Sequence, residues 1–254
     1  MMNPFEIVAH RGIADEYPEN TLPAFQRAIA LGADAVELDV RLTKDRVPVV
    51  YHYYYLEKST SLRGPIFNYS YQQLNQVKFL NTPGDDDTLK IPTLRETLET
   101  IGGQIGLEIE IKGPEPECTA IIGEVLQDFR SIWGSIEITS YEIALLLNIK
   151  EQCPGLTTDL LYPPTQPWMQ MDVVAFEALH KARLAQARAV HLHPSQLSNE
   201  VVQFVRKGGI DIHVWDVNDA DALRTCIEFE IPKICTDNFR MAARFRERVK
   251  EGHA

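Results

Sequence analysis

Eight times along the chain a short apolar strand is followed by helical sequence, and this repetition limits the fold more than any other feature. The expected strands lie at 5–9, from Ala35 through Asp39, and at 105–111, 135–140, 156–162, 188–193, 210–217 and 233–236. Helical patterns follow at 21–31, 92–101, 116–129, 143–152, around 176–186, and at 198–207, 220–228 and 239–250. Strands that alternate with helices lie parallel in one sheet. Eight such units close on themselves, giving an α/β fold, a TIM-type (β/α)8 barrel. A length of 254 residues is ordinary for one such barrel, and no change of composition divides it, so 1–254 reads as a single barrel domain.

Two additions interrupt the rhythm. The second strand alternates, with Val36, Leu38 and Val40 on one face and Ala35, Glu37 and Asp39 on the other. The chain then turns through Lys44-Asp45-Arg46-Val47 into an extended arm at 48–52, a β-hairpin extension after strand two. A two-residue loop at Asp45-Arg46 pairs Lys44 with Val47 and sets His52 opposite Asp39. Such partners lie about 5 Å apart with side chains on one face. Residues 53–90 read as an irregular insertion before strand three, with a short helix at 71–77 and an acidic run at Asp85-Asp86-Asp87. Asn20 reads as the N-cap of the helix at 21–31.

In this barrel, active sites gather at the C-terminal ends of the strands. Strand one ends at His10-Arg11, and strand two carries Glu37 and Asp39 with His52 brought back beside them. Strand three alternates so that Glu108, Glu110 and Lys112 point inward, and strand seven ends at Trp215. Carboxylates inside a sheet core are costly unless a cation compensates them. An oxygen set without cysteine favours a hard divalent cation, Mg²⁺ or Ca²⁺. Arg11 and Lys112 suit a phosphate, and two histidines suit general acid–base work. The combination spells phosphoester cleavage.

Charge sets the terms for partners. The net charge of -11 argues against nucleic acid or an anionic membrane as a broad partner, and an anionic substrate needs local positive charge. No apolar run approaches the length of a membrane span, and residues 1–9 read as a strand rather than a signal peptide. Cys118, Cys153, Cys226 and Cys235 are scattered without metal-ligand spacing and read as reduced thiols, so a cytoplasmic location is expected.

The same residues resemble the glycerophosphodiester phosphodiesterase family. The chain carries His10-Arg11-Gly12, Pro18-Glu19-Asn20-Thr21, Glu37-Leu38-Asp39-Val40, Thr43-Lys44-Asp45 and Pro48-Val49-Val50 before His52. Glu110-Ile111-Lys112, Trp215 with Val217-Asn218, and Thr236-Asp237 complete the match in order along nearly the whole chain. The resemblance implies a divalent cation on Glu37, Asp39 and Glu110, with His10 and His52 as the acid–base pair. It also implies cleavage of glycerophosphodiesters to glycerol 3-phosphate and an alcohol such as choline or ethanolamine, and thus a place in lipid and glycerol metabolism.

Two positions depart from the family pattern. Tyr53 stands where Asp usually follows the second histidine, and Asp216 where Thr usually follows the strand-seven Trp. By alternation Tyr53 should face away from His52. A related activity on lysophospholipids needs an apolar groove, for which residues 51–55 with Phe67 and Tyr69 are candidates. A catalytically quiet barrel that binds a phosphodiester is the other alternative. His191 and His193 suggest a zinc hydrolase, but no further His/Asp set at zinc spacing accompanies them, so they read as packing or rim residues. His180, His213 and His253 read as histidines without a partner.

Overall fold

The computed structural model describes residues 4–80 and 89–252. The acidic run Asp85-Asp86-Asp87 and His253 lie outside these residues. The strands are β1 (Glu6–Ala9), β2 (Ala35–Leu42), β3 (Pro48–Val50), β4 (Gly106–Ile111), β5 (Ile136–Ser140), β6 (Thr157–Leu161), β7 (Ala189–Leu192), β8 (Asp211–Val214) and β9 (Lys233–Thr236). The helices are α1 (Leu22–Leu31), α2 (Tyr71–Leu74), α3 (Leu94–Ile101), α4 (Cys118–Asp128), α5 (Ile143–Gln152), α6 (Met171–Leu184), α7 (Asn199–Lys207), α8 (Ala220–Glu228) and α9 (Phe239–Lys250). No helix among the described residues is long and apolar enough to cross a membrane.

The sheet runs β1-β9-β8-β7-β6-β5-β4-β2 and closes through a parallel β1–β2 pairing, with β3 antiparallel to the far end of β2, on the edge away from β4. This is the expected eight-stranded parallel barrel. Strand residues such as Val36, Leu38, Leu107 and Ile109 face outward and pack against Phe25, Leu94 and Ile122 of the helices. Helix ends follow local chemistry where the sequence supplies it. Thr93 and Glu96 form a reciprocal cap on α3, and Gly32 closes α1 at a φ of 78°. Helix α6 starts at Met171, earlier than expected, because its N-cap Gln170 makes no side-chain cap that would mark the start.

The hairpin register differs from expectation by one residue. Thr43 pairs with Val47 around a three-residue loop, and Arg46 at its end adopts a φ of 65°. A type of loop that ends on one left-handed residue needs no two-glycine signal. The pairs are therefore Val40 with Val50 and Leu42 with Pro48, so Tyr51, not His52, stands across from Asp39. Tyr51 is buried with Val49, Leu56, Ile66, Leu74 and Ile91 in a second core that the insertion builds.

The barrel interior is lined by charge rather than by the branched apolar layers usual in this fold. Glu37, Asp39, Glu108, Glu110, Glu137, Asp159, His191, His213 and Lys233 are all buried.

Candidate active site

The site begins where β1 ends. Arg11 and Gly12 both adopt left-handed backbone, at φ of 55° and 85°. A Cβ on Gly12 would lie 2.7 Å from the backbone carbon of Ala24, so only glycine lets α1 pass this close. The turn aims His10 and Arg11 across the mouth, and the Arg11 backbone N–H donates to Glu37 Oε2 at 3.2 Å.

Parallel register then brings the carboxylates together. Glu37 pairs with Glu108, and Asp39 with Glu110, on neighbouring strands. Oxygens of Glu37, Asp39 and Glu110 converge within 4.8 Å of one another, while Glu108 sits one layer deeper against His191. Two cations sit among them. Lys112 Nζ lies 2.9 Å from Asp39 Oδ1 and 2.7 Å from Glu110 Oε2, and Arg11 Nε lies 3.1 Å from Asp39 Oδ2.

Asn20 is not the N-cap of α1; Thr21 takes that position. Asn20 instead adopts a φ of 59° and turns its amide inward. There Nδ2 donates to Asp39 Oδ2 at 2.7 Å, and Oδ1 accepts from the Asp39 backbone N–H at 3.2 Å.

The charges do not balance among carboxylates alone. Burial and the neighbouring Asp39 push the Glu37 carboxyl up to about 8. Burial pushes Glu110 up to about 7, with Asp39 adding to it against Lys112. Burial opposes the charge on Asp39 too, but Lys112 and Arg11 hold it well below the usual carboxylate range. A divalent cation relieves this repulsion, and three carboxylate oxygens fit a hard ion.

The two histidines stand in opposite environments. His10 Nδ1 is 2.6 Å from Asp237 Oδ1, and its Nε2 is 3.8 Å from Glu37 Oε2. Burial opposes its charge, yet the bond to Asp237 and the nearby Glu37 raise it to about 9. Asn218 donates to Asp237 Oδ2 at 2.8 Å and accepts from its backbone N–H at 2.7 Å, fixing that carboxylate. His52 lies beyond the end of β3, where Arg41 Nε donates to its carbonyl at 2.7 Å. Burial lowers it to about 3; Asp39 pulls the other way, and Lys112, Arg11 and Arg41 nearby add to the lowering. His52 thus reaches the cavity although the register differs from the expected one.

A cavity of about 240 Å³ opens beside this cluster, with Asp39 fully buried behind its wall. His10, Arg11, Glu37, His52, Glu110 and Lys112 line it, with Tyr141, Trp215 and Asp216 across the mouth. Tyr141 packs edge-on against Trp215 with ring centroids 6.5 Å apart, and His193 packs on Trp215 at 5.3 Å. Tyr53 does not turn away. The sheet ends before it, so strand alternation no longer applies, and its ring meets His52 edge-on at 4.7 Å with the Arg11 guanidinium 5.9 Å from its centre. Of the aromatics named for an apolar groove, Tyr51 is buried and Tyr69 donates to the Arg63 carbonyl, while Tyr54, Tyr55 and Phe67 are exposed.

The sequence pointed to no part in the site for Asn20, read as a helix cap, or for Asp237, Asn218 or Glu19, which bonds Arg11 at 3.0 Å. The available signal was their place inside the family strings around Asn20, Asn218 and Asp237. His213 does have a partner, since its Nδ1 is 3.1 Å from His191 Nε2. His191 is buried between Glu108 and Asp159, and His193 sits on the rim beside Asp216. His180 lies on the surface of α6, stacked on Phe176.

Known proteins give the same picture. The model of the glycerophosphoryl diester phosphodiesterase family matches residues 10–241. The glycerophosphodiester phosphodiesterase of Caldanaerobacter subterraneus subsp. tengcongensis is 30% identical over 246 residues, covering 91% of this chain and 93% of that protein. The crystal structure of a glycerophosphodiester phosphodiesterase from Thermotoga maritima superposes with a TM-score of 0.74 at 28% identity, covering 95% of this chain and 98% of that one. An Oleispira antarctica phosphodiesterase, solved in complex with the product sn-glycerol-3-phosphate, shares the fold with a TM-score of 0.81 at 23% identity, covering 94% of this chain and 95% of that one. The barrel, the cluster at its mouth and these matches agree: the chain belongs to the glycerophosphoryl diester phosphodiesterase family and is a phosphoric diester hydrolase.

Proposed function

We propose that the chain hydrolyses glycerophosphodiesters to glycerol 3-phosphate and an alcohol with the help of Mg²⁺ or Ca²⁺. The carrying observation is the convergence of Glu37, Asp39 and Glu110 with His10, His52, Arg11 and Lys112 at the barrel mouth, where all but the buried Asp39 line one cavity. Glu37, Asp39 and Glu110 would hold the cation. When bound, it supplies Lewis-acid polarisation of a phosphate oxygen.

Arg11 and Lys112 face the phosphate and share the charge that develops on its oxygens. His52, uncharged among neighbouring cations, takes the proton from the attacking hydroxyl as its oxygen bonds to phosphorus. The bond from phosphorus to the alcohol oxygen breaks, and His10, kept protonated by Asp237, delivers a proton to that oxygen. The attacking hydroxyl belongs to water or to the neighbouring glycerol carbon; the latter has the advantage of proximity and gives a cyclic phosphate first. Trp215 forms a wall of the substrate cavity. The product bound by the Oleispira antarctica protein supports glycerol 3-phosphate as the product here.

The deciding experiment is a turnover assay on glycerophosphocholine, glycerophosphoethanolamine and a long-chain acyl analogue, with release of glycerol 3-phosphate as the readout. Turnover of the short diesters is expected. Preference for the acyl analogue would move the activity to lysophospholipids, and turnover of none would leave a binding barrel.

A further inference from the structure

We propose a second metal site in the middle of the barrel, separate from the oxygen cluster: Glu137, Asp159, His191 and His213 hold one zinc-class divalent cation. Four consecutive barrel strands, β5 to β8, contribute one residue each. One ligand atom from each lies within 4.8 Å of the others. His191 Nε2 is 3.3 Å from Asp159 Oδ2, and His213 Nδ1 is 3.1 Å from that nitrogen and 3.7 Å from that oxygen. A tetrahedral ion with bonds of about 2.0 Å needs ligand atoms about 3.3 Å apart, so the trio already has the right spacing.

The groups behind the ligands are those a metal site requires. The other ring nitrogen of His191, Nδ1, faces Glu108 Oε1 at 3.2 Å, which orients the ring with Nε2 toward the centre. Asp159 Oδ1 accepts from the Ala189 backbone N–H at 3.0 Å and from Arg188 Nε at 3.2 Å; Oδ2, beside the imidazoles, also accepts from Arg188 Nη2 at 2.5 Å, a donor that gives way when the ion binds. Glu108 Oε2 is buried and accepts no hydrogen bond among the described residues, with Lys233 Nζ 3.6 Å away.

Charge leaves room for a cation. Glu108, Glu137 and Asp159 bring three negative charges into the interior. Arg188 and Lys233 return two positive charges, Arg188 paired to Glu137 and Asp159 and Lys233 to Glu137 and, at 3.6 Å, to Glu108; counted with both imidazoles neutral, as metal ligands are, one negative charge is in excess. Two imidazoles in the set select a zinc-class ion over Mg²⁺ or Ca²⁺. At the N-terminal mouth a cavity of about 250 Å³ reaches one of the four, Glu137, beside Arg188 and Lys233. The ion would clip together the half of the barrel that carries none of the three clustered carboxylates at the mouth.

The test uses the full chain stripped of metal, with Co²⁺ as the probe and a large excess of Mg²⁺ to occupy the oxygen cluster. Co²⁺ is supplied both to the folded protein and during refolding, so that burial does not bar entry. One equivalent should be retained against Mg²⁺, with the visible bands of a four-coordinate ion. Retention should persist in Asp39→Asn, which cripples the oxygen cluster, and affinity should fall at least about a hundredfold in His213→Gln. X-ray absorption on Zn²⁺-loaded protein should count two imidazole ligands in both wild type and Asp39→Asn, a readout that does not depend on the histidine variant folding. Failure to retain Co²⁺ by either route, loss of retention in Asp39→Asn with survival in folded His213→Gln, or an all-oxygen ligand shell would overturn the site.

Discussion

Asp237 Oδ1 and His10 Nδ1 stand 2.6 Å apart, although 227 residues separate them in the chain. The bond joins the first and last strands of the closed barrel at its mouth. It fixes the ring so that Nε2 faces Glu37 and the cavity, and it favours the charged form of the imidazole.

That bond predicts a pH signature. His10 is raised above its ordinary value of 6.5 to about 9, so its contribution to stability is fully present below 6.5 and lost as pH rises through 9. In metal-free protein, urea midpoints of wild type and Asp237→Asn should differ most at pH 6 and converge by pH 10. Histidine NMR should show the His10 titration moving down in the variant. An unchanged His10 titration in Asp237→Asn rules out this pairing as the cause.

The histidines themselves should each be indispensable. His10→Ala and His52→Ala are each expected to lower turnover by at least about a hundredfold, the usual scale for losing a general acid or base. Both side chains face the open cavity, so circular dichroism should show native folding. Near-normal turnover in either variant would mean that the acid–base pair is assigned to the wrong residues.

Metal removal should silence the enzyme. Glu37, Asp39 and Glu110 crowd three carboxylates together, and two of them are pushed toward neutrality without an ion. Exhaustive chelation is expected to abolish turnover and Mg²⁺ or Ca²⁺ to restore it. Full activity in a preparation shown to be metal-free would refute metal dependence.

Asn20 holds Asp39 by two hydrogen bonds from a left-handed backbone position. Asn20→Gly keeps that backbone conformation comfortable and removes only the amide. Turnover or metal affinity should fall by roughly ten- to a hundredfold, the scale for losing a group that orients a metal ligand. A Mg²⁺ activation curve identical to wild type would show that Asp39 needs no such support.

Gly12→Ala tests the turn beneath the site. The added Cβ meets the backbone of Ala24 at 2.7 Å, and the φ of 85° adds strain. A loss of about 2 kcal/mol or more is expected, read from the midpoint of chemical unfolding. A shift too small to measure would mean that α1 moves aside freely.

What the sequence determined by itself was most of what depends on local periodicity. The bounds of α5, α8, α9 and β9 fall where the patterns place them, because each amphipathic stripe is written in neighbouring residues. Alternation on β2 and β4 also told which side of the sheet Glu37, Asp39 and Glu110 take. What only the tertiary structure decided was which distant residues meet. The hairpin loop needs one left-handed Arg46 instead of a glycine pair, and that choice moved the register by one. Asn20 looked like a helix cap because Ser, Thr, Asp and Asn before a helix usually are; closure of the barrel gave it a buried carboxylate instead. The interior cluster was invisible for the same reason. Glu137, Asp159, His191 and His213 lie on four separate strands at no motif spacing, and only parallel register in a closed barrel turns one side chain from each toward a common centre.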